Sequence, residues 1–232
     1  MNIAVILAAG KGSRVKHTDR PKQFVEIGGK SILFHTVEKF IACKQIDHIV
    51  IAVNKDWVSY TEKHLAGYMG SRISVCEGAD DRQETLYKAL LYCCDYLKAS
   101  GDTVIISHDA VRPFVTDRII KDGMKAIDSV DAVNTVIPSI DTIIQSEDGK
   151  SLSGVPDRHH MYQVQTPQIF RLGKFIDIYR TLDRNCLDNM TDAVGILFRN
   201  GCSVHLVRGE HCNFKITDDY DMDVAGYLLK KN

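Results

Sequence analysis

The first loop of the chain carries residue types suited to binding a polyphosphate. Apolar residues 3–7 run directly into Ala8–Arg14, which reads Ala-Ala-Gly-Lys-Gly-Ser-Arg. Ligands of parallel sheets bind beyond the carboxyl ends of the strands. There, small residues let backbone N–H groups approach an anion, and Lys11 and Arg14 would add positive charge. The spacing matches neither a dinucleotide fingerprint nor a Walker A loop. An ordinary glycine-containing turn remains the alternative at this point.

Two further positions have side chains that suit phosphate chemistry. Lys22 lies in the run Pro21–Phe24; taken alone it would be a solvated lysine, although a lysine can act as a compact point charge on a phosphate. Asp109 follows the apolar run 103–107, so its carboxylate can orient a magnesium ion or a neighbouring basic group, or only cap the next turn. Ser13 lacks the G-x-S-x-G context of a hydrolase nucleophile. Seven cysteines without a C-x-x-C pair do not indicate a disulfide framework or a zinc site.

The composition excludes several classes of protein. The chain has 232 residues, of which 44% are hydrophobic and 25% charged, values typical of a globular protein. The net charge of -1 does not indicate a nucleic-acid-binding surface. No apolar run reaches the roughly 18–20 residues of a membrane helix, and the N-terminus lacks a basic leader. We therefore expect a cytoplasmic protein that binds neither nucleic acid nor membranes.

The hydrophobic pattern alternates between segments typical of strands and of helices. Short apolar and β-branched runs predict strands, and apolar residues three and four apart predict helices. The predicted strands are 3–7, 48–53, 73–76, 103–107, 132–137 and 203–207. The predicted helices are 31–43, 57–65, 86–97, 116–127, 172–182, 191–199 and the segment after Asp218. This alternation predicts an α/β fold with a mostly parallel twisted sheet and helices on both faces.

The alternation breaks between Pro138 and Gln168, where no helical pattern occurs. The pair Asp148-Gly149 is a hairpin turn signal between two loosely alternating segments, 141–145 and 151–155. We expect a β-arm and loop over about 138–168 that protrudes from the rest. No other segment divides the chain, so residues 1–232 are predicted to form a single domain.

Six ordered motifs together make the sequence similar to a known enzyme family. The loop 8–14 followed by Pro-Lys-Gln resembles the nucleotidyltransferases that join a nucleoside triphosphate to a phosphorylated sugar or polyol. Within them the chain resembles the cytidylyltransferases that act on methylerythritol 4-phosphate and ribitol 5-phosphate. The other matching motifs are Gly78–Arg82 with Thr85, His108–Phe114, Gln165–Gln168 with Phe170, Thr191–Ala193, and Asn213–Thr217 with Tyr220-Asp221. His160–Gln163 and the Ala-Val pair before Arg112 are more similar to the ribitol-phosphate branch.

The resemblance implies a Rossmann-like fold of the nucleotide-diphospho-sugar transferase type and a reaction. An oxygen of the polyol phosphate attacks the α-phosphorus of CTP, pyrophosphate leaves, and Mg²⁺ assists. The implied catalytic residues are Arg14, Lys22 and Lys215. The implied nucleotide-binding residues are Leu7, Ala8, Ala9, Gly10, Gly12, Ala79, Asp80 and Thr85. The implied substrate-binding residues are Arg112, Arg158, Thr166 and Thr191, and the implied metal ligand is Asp109.

The resemblance also implies a partner and leaves several functions open. In the family an arm of this kind reaches a second subunit, so we expect a homodimer in which Arg158 approaches the neighbour's substrate. The branch implies CDP-ribitol for cell-wall or capsule polymers such as teichoic acid. The alternatives are a methylerythritol-phosphate cytidylyltransferase, a transferase for another base or sugar phosphate, and a non-catalytic nucleotide-binding module. The presence of Arg14, Lys22 and Lys215 favours an enzyme.

Overall fold

The structure is a computed structural model that describes residues 1–10, 20–68, 70, 72–183 and 192–231. Within these residues, strands and helices follow one another along most of the chain. The strands are β1 Asn2–Ala8, β2 Glu26–Ile27, β3 Lys30–Ser31, β4 His48–Val53, β5 Ile73–Glu77, β6 Val104–Asp109, β7 Ala132–Pro138, β8 Tyr162–Arg171 and β9 Val204–Arg208. The helices are α1 Ile32–Ala42, α2 Val58–Leu65, α3 Arg82–Leu97, α4 Asp117–Ala126, α5 Leu172–Thr181, α6 Ala193–Arg199 and α7 Asp219–Lys231.

Seven of the strands form one sheet, in the order β5-β4-β1-β6-β8-β7-β9. β5, β4, β1 and β6 are parallel neighbours, and β7 is parallel to β9. β8 runs antiparallel to both β6 and β7. The predicted mostly parallel sheet is therefore confirmed, and β8 is a strand that the hydrophobic pattern did not predict.

The two faces of the sheet bury separate hydrophobic cores. Because successive residues of a strand point to opposite faces, Ala4 and Ile6 of β1 pack with the core that contains α1, α2 and α4. Ile3 and Val5 pack with the core that contains α3, α5 and α6. This alternation explains why the central strands read as continuous apolar runs, and it places helices on both faces as predicted.

Polar side chains begin several of the helices. Ser31, Asp81, Thr116 and Asp192 each accept a hydrogen bond from a backbone N–H of the helix that follows. Asp218 accepts a hydrogen bond from the backbone N–H of Asp221 at the start of α7. These caps satisfy N–H groups that have no partner within the helix.

Among the described residues, no helix is both long and apolar enough to span a membrane.

The predicted arm is shorter than the sequence indicated. Residues 162–168 belong to β8 inside the sheet, so only 139–161 lie between strands there. Within that segment Gln145 and Gly154 form an antiparallel bridge around the turn at Asp148, as the hairpin signal predicted. The boundary at Gln168 was wrong because β8 contains Pro167 and several polar residues, which do not give an alternating hydrophobic pattern.

Candidate active site

A cleft opens at the carboxyl ends of β1, β5 and β6, where parallel sheets bind ligands. The segments that follow these strands are far apart in sequence, and they meet there because the strands lie in the parallel part of one sheet. The lining residues are Leu7, Ala8, Ala9, Gly10, Lys22, Gln23, Ala79, Asp80, Asp81, Arg82, Thr85, Asp109, Ala110, Val111 and Lys215. The fold thus brings together the predicted nucleotide-binding residues that it describes, both predicted catalytic lysines, and Asp109.

Asp109 is the common partner of three cations at the end of β6. Its Oδ1 accepts from Nε and Nη2 of Arg82, at 3.3 and 3.2 Å. Its Oδ2 lies 3.2 Å from Nε of Arg112 and 3.2 Å from Nζ of Lys215. Burial alone would raise the pKa of Asp109, but Arg82, Lys215 and Arg112 outweigh it and hold that pKa well below its ordinary value. Asp109 therefore stays ionised, and the cluster keeps an excess of positive charge for anionic ligands.

His108 and Thr166 fix the backbone around Asp109. His108 is fully buried, and its Nε2 lies 3.1 Å from the carbonyl oxygen of Arg112, which requires an N–H at that nitrogen. Its Nδ1 is then an acceptor, and the Thr166 hydroxyl donates to it at 3.0 Å. The same hydroxyl accepts from the backbone N–H of Asp109 at 3.1 Å. The turn that carries Asp109 and Arg112 is thus held at both ends.

This arrangement changes the expected role of Thr166. The resemblance implied that Thr166 binds the substrate, but Thr166 is buried, does not line the cleft, and donates its hydroxyl proton to His108. Its described contacts position Asp109 instead. Arg112 is also buried, and its Nη1 donates to the carbonyl of Asn213 at 2.9 Å; the predicted substrate arginine does not line the cleft itself and adjoins it through Asp109.

A second part of the cleft wall is built mainly from backbone. A Cβ atom on Gly78 would lie 2.7 Å from Cβ of Ala9, so glycine is needed where the two loops approach. The hydroxyl of Thr85 accepts from the N–H of Ala79 at 2.9 Å and lies within hydrogen-bonding distance of the carbonyls of Ala79 and Asp81. Thr85 lines the cleft, as predicted, but its hydroxyl fixes the turn 79–81 rather than remaining available to read a base.

The two lysines of the cleft differ in their surroundings. Lys22 is 8% exposed and lies in the 3-10 turn Lys22–Phe24. The side chain of Lys215 is 38% exposed and pairs with Asp109, so its ammonium group can reach a ligand. Two cations on different segments can neutralise a triphosphate and a second phosphate that meet between them.

The described residues do not form a ready-made metal site. No cluster of three or more His, Cys, Asp or Glu side chains that could hold an ion occurs among them. An ionised carboxylate offers about four acceptor positions, and those of Asp109 already receive the four N–H contacts from its three cations. Asp109 therefore does not fit the predicted role of metal ligand; it orients basic groups, which was the other role that its position suggested.

Several predicted site residues lie elsewhere. Gly12, Arg14 and Thr191 are outside the described residues. Arg158 is exposed in the 3-10 turn Arg158–His160, where its Nη1 lies 3.4 Å from the carbonyl of Ile140, and it does not line the cleft of its own chain. The predicted approach of Arg158 to a neighbour's substrate stays a prediction.

Gln23 and Arg82 also line the cleft, although neither is among the predicted site residues. Arg82 belongs to a matching motif in which it had no assigned role, and it pairs with Asp109, beside which it lines the cleft. Gln23 was supported only by its place in a motif, and it bonds two loop carbonyls. The neighbouring motif positions were the only available signal, because both contacts join segments that are distant in sequence.

Comparisons with known proteins agree with this geometry. The sequence profile described as IspD, 2-C-methyl-D-erythritol 4-phosphate cytidylyltransferase, matches residues 2–231. A ribitol-5-phosphate cytidylyltransferase of Lactiplantibacillus plantarum is 42% identical over 232 residues, which are 100% of this chain and 99% of that protein.

Solved structures of the same kind share the fold. The 4-diphosphocytidyl-2C-methyl-D-erythritol synthase of Anaerococcus prevotii has a TM-score of 0.82 and 26% identity, covering 99% of this chain and 98% of its own. The 2-C-methyl-D-erythritol 4-phosphate cytidylyltransferase of Francisella tularensis has a TM-score of 0.81 and 27% identity, covering 98% and 99%. The profile match and the full-length relative show that this chain is a nucleotidyltransferase that belongs to the IspD cytidylyltransferase family.

Proposed function

We propose that this protein transfers CMP from CTP to D-ribitol 5-phosphate, giving CDP-ribitol and pyrophosphate. The observation that supports the proposal is that one cleft is lined on one side by main-chain groups and on another by paired charged side chains. One wall is the backbone of 8–10 and 78–81, and the other is the cation cluster around Asp109. The full-length ribitol-5-phosphate cytidylyltransferase relative supports this choice of polyol.

The reaction requires positioning and charge neutralisation more than a protein nucleophile. A phosphate oxygen of the polyol phosphate forms a bond to the α-phosphorus of CTP, and the bond from that phosphorus to the bridging oxygen of the β-phosphate breaks. The electron pair leaves on pyrophosphate. Lys22 and Lys215 face the cleft where two anions must approach, so we assign them the stabilisation of the developing charge. Arg14 keeps its predicted role beside the triphosphate.

Magnesium remains part of the proposal, although the described residues do not preform a site for it. Mg²⁺ in proteins usually retains water and is bound through substrate phosphates with one or two carboxylates. We propose that it enters with CTP and supplies additional neutralisation of the triphosphate.

The product is an activated polyol phosphate, which suits transfer to a teichoic-acid-type polymer.

One assay separates the candidate substrates. Pyrophosphate release would be measured with each nucleoside triphosphate against ribitol 5-phosphate and 2-C-methyl-D-erythritol 4-phosphate, with and without Mg²⁺. We expect the highest kcat/KM with CTP and ribitol 5-phosphate. The second candidate is the methylerythritol reaction, which is named by the family profile and by both solved structures. Faster turnover of that substrate would reverse the choice, and no release with any pair would refute the enzyme proposal.

We also propose that two copies of the chain form a dimer through the segment 139–161 and the start of β8. Large apolar side chains are exposed there in one chain: Ile140, Ile144, Leu152, Val155, Tyr162 and Val164. Contiguous exposed apolar surface is typical of a protein interface, and a second copy would cover it. Such a dimer would carry Arg158 towards the partner's cleft.

Mixing two inactive variants tests the shared site. Arg158→Ala and Lys215→Ala subunits would be unfolded together, refolded and assayed for CTP turnover. If Arg158 acts in the partner's site, each heterodimer regains one complete site, and activity returns. If both residues serve the same chain, the mixture stays as inactive as either variant alone. Sedimentation equilibrium of each variant checks that dimers still form.

A further inference from the structure

Gln23 joins two parts of the chain that line the cleft. Its side chain is almost fully buried, and Nε2 donates to the carbonyl of Ala8 at 2.7 Å and to that of Gly10 at 2.9 Å. Carbonyl oxygens only accept hydrogen bonds, so both contacts need the NH₂ group, and this fixes the orientation of the amide. A single amide therefore satisfies two carbonyls of the first loop.

These two carbonyls belong to residues that line an anion-binding cleft. Ala8, Gly10 and Gln23 all contribute to its wall. A carbonyl oxygen without a donor is an unscreened negative dipole, which would repel a triphosphate at short range. The bonds to Gln23 direct both oxygens to a buried donor. The loop can then present its N–H groups and small side chains to the ligand.

The segment that carries Gln23 is itself firmly anchored. The turn closes through hydrogen bonds from the N–H of Phe24 to Pro21 and from the N–H of Val25 to Lys22, at 2.9 and 3.1 Å. The Phe24 ring stacks on Trp57 with centroids 4.7 Å apart. Gln23 thus ties the loop after β1 to a fixed turn, and that turn carries Lys22.

We infer that Gln23 is a positioning residue for the triphosphate of CTP. It acts by holding the carbonyls of Ala8 and Gly10 away from the phosphates and by setting the distance between that loop and Lys22. The inference rests on the proposed use of CTP. It assigns no contact between Gln23 and the substrate.

The first test is Gln23→Met, which keeps the size of the side chain and removes both donors. We expect KM for CTP to rise at least about tenfold, the scale of leaving buried acceptors unpaired, with KM for ribitol 5-phosphate within about twofold. Gln168→Met is the matched control. Gln168 is also buried and bonded, to Asn134 and to the N–H of Ala193, at 3.1 and 3.2 Å, but it does not line the cleft. The control should lose thermal stability and leave KM for CTP unchanged.

The second test is Gln23→Glu, which keeps the shape of the side chain and can be examined at lower pH, where a protonated carboxyl again offers one donor. Its carboxylate would face two carbonyls and a triphosphate, so KM for CTP should rise about 100-fold at neutral pH. Protonation restores one donor, so the ratio of variant to wild-type KM should fall as the pH is lowered. A ratio that stays flat with pH, or equal KM changes in the Gln23 and Gln168 variants, would overturn the inference. Absence of turnover in the wild type would instead refute the proposed function.

Discussion

The two walls of the cleft achieve binding in different ways. We call Arg82, Asp109, Arg112 and Lys215 the charged wall, and residues 8–10 and 78–81 the backbone wall. In the charged wall the side chains pair with one another at the edge of the cleft. At the backbone wall, the side chains of Gln23 and Thr85 bond to the main chain of that wall and hold it in place. Changes in the charged wall should therefore alter kcat, and changes behind the backbone wall should alter KM for CTP.

The largest expected effect comes from removing the charge shared by the charged wall. Asp109→Asn leaves three cations facing one another without a counter-ion. We expect kcat to fall at least about 100-fold, because the cations lose their positions, and the free energy of unfolding to fall by about 3–5 kcal/mol, the scale of breaking a buried ion pair. Steady-state kinetics and denaturant unfolding measure the two effects. Asp117→Asn, which removes an exposed partner of Lys121 on α4, is the control and should leave both kcat and the free energy of unfolding nearly unchanged. A raised KM for CTP with kcat unchanged would contradict the division between the walls.

A smaller effect should appear in the pH dependence of stability. Burial lowers the pKa of His108 from 6.5 to about 4, against the opposing influences of the Arg112 carbonyl and the Asp109 charge. The unfolded chain therefore binds a proton at higher pH than the folded protein does. The stability contributed by neutral His108 is complete above pH 6.5 and is lost as the pH falls to about 4. The loss over that window is about 3 kcal/mol.

Unfolding free energies measured from pH 4 to 8 would test this dependence. His108→Gln keeps an N–H donor for the Arg112 carbonyl and removes the titrating group, so its curve should be flatter over this window than that of the wild type. His205→Gln removes an exposed imidazole on β9 and serves as the control. An unchanged slope in His108→Gln would mean that His108 is not the group responsible. Asp109 has a lowered pKa, so its stabilisation is lost only below its ordinary value of 3.8.

The central strands were predictable from sequence because burial on both faces leaves a simple signal. β4 coincides with the predicted run 48–53, and its residues from Ile49 to Val53 are fully buried. β8 gave no such signal, because its interior positions include Gln165, Thr166 and Gln168, which are satisfied by polar partners on other segments. A strand stabilised by buried polar pairs cannot be recognised by hydrophobic alternation.

The same distinction explains which site residues were found. The loop after β1 and the residues at the end of β6 lie at strand ends, so topology alone placed them together. The partner of Arg82 could not be inferred, because Asp109 is 27 positions away and the contact depends on how α3 packs against the sheet, on β1, β4 and β5. The hydrogen bonds that already engage the hydroxyls of Thr85 and Thr166 could not be predicted either, since a sequence shows a donor without showing its acceptor.

The smallest expected effect is on the backbone wall and is the sharpest test of the comparison. Thr85→Val has nearly the same shape as threonine but leaves the N–H of Ala79 without its acceptor at 2.9 Å. We expect KM for CTP to rise about tenfold with kcat changed less than about threefold, because the turn that faces the nucleotide loosens while the charged wall is intact. Thr85→Ser retains the hydroxyl and should stay close to the wild type in both constants. If valine lowered kcat and left KM unchanged, the backbone wall would contribute to the chemical step, and the division between positioning the nucleotide and stabilising the transition state would not hold.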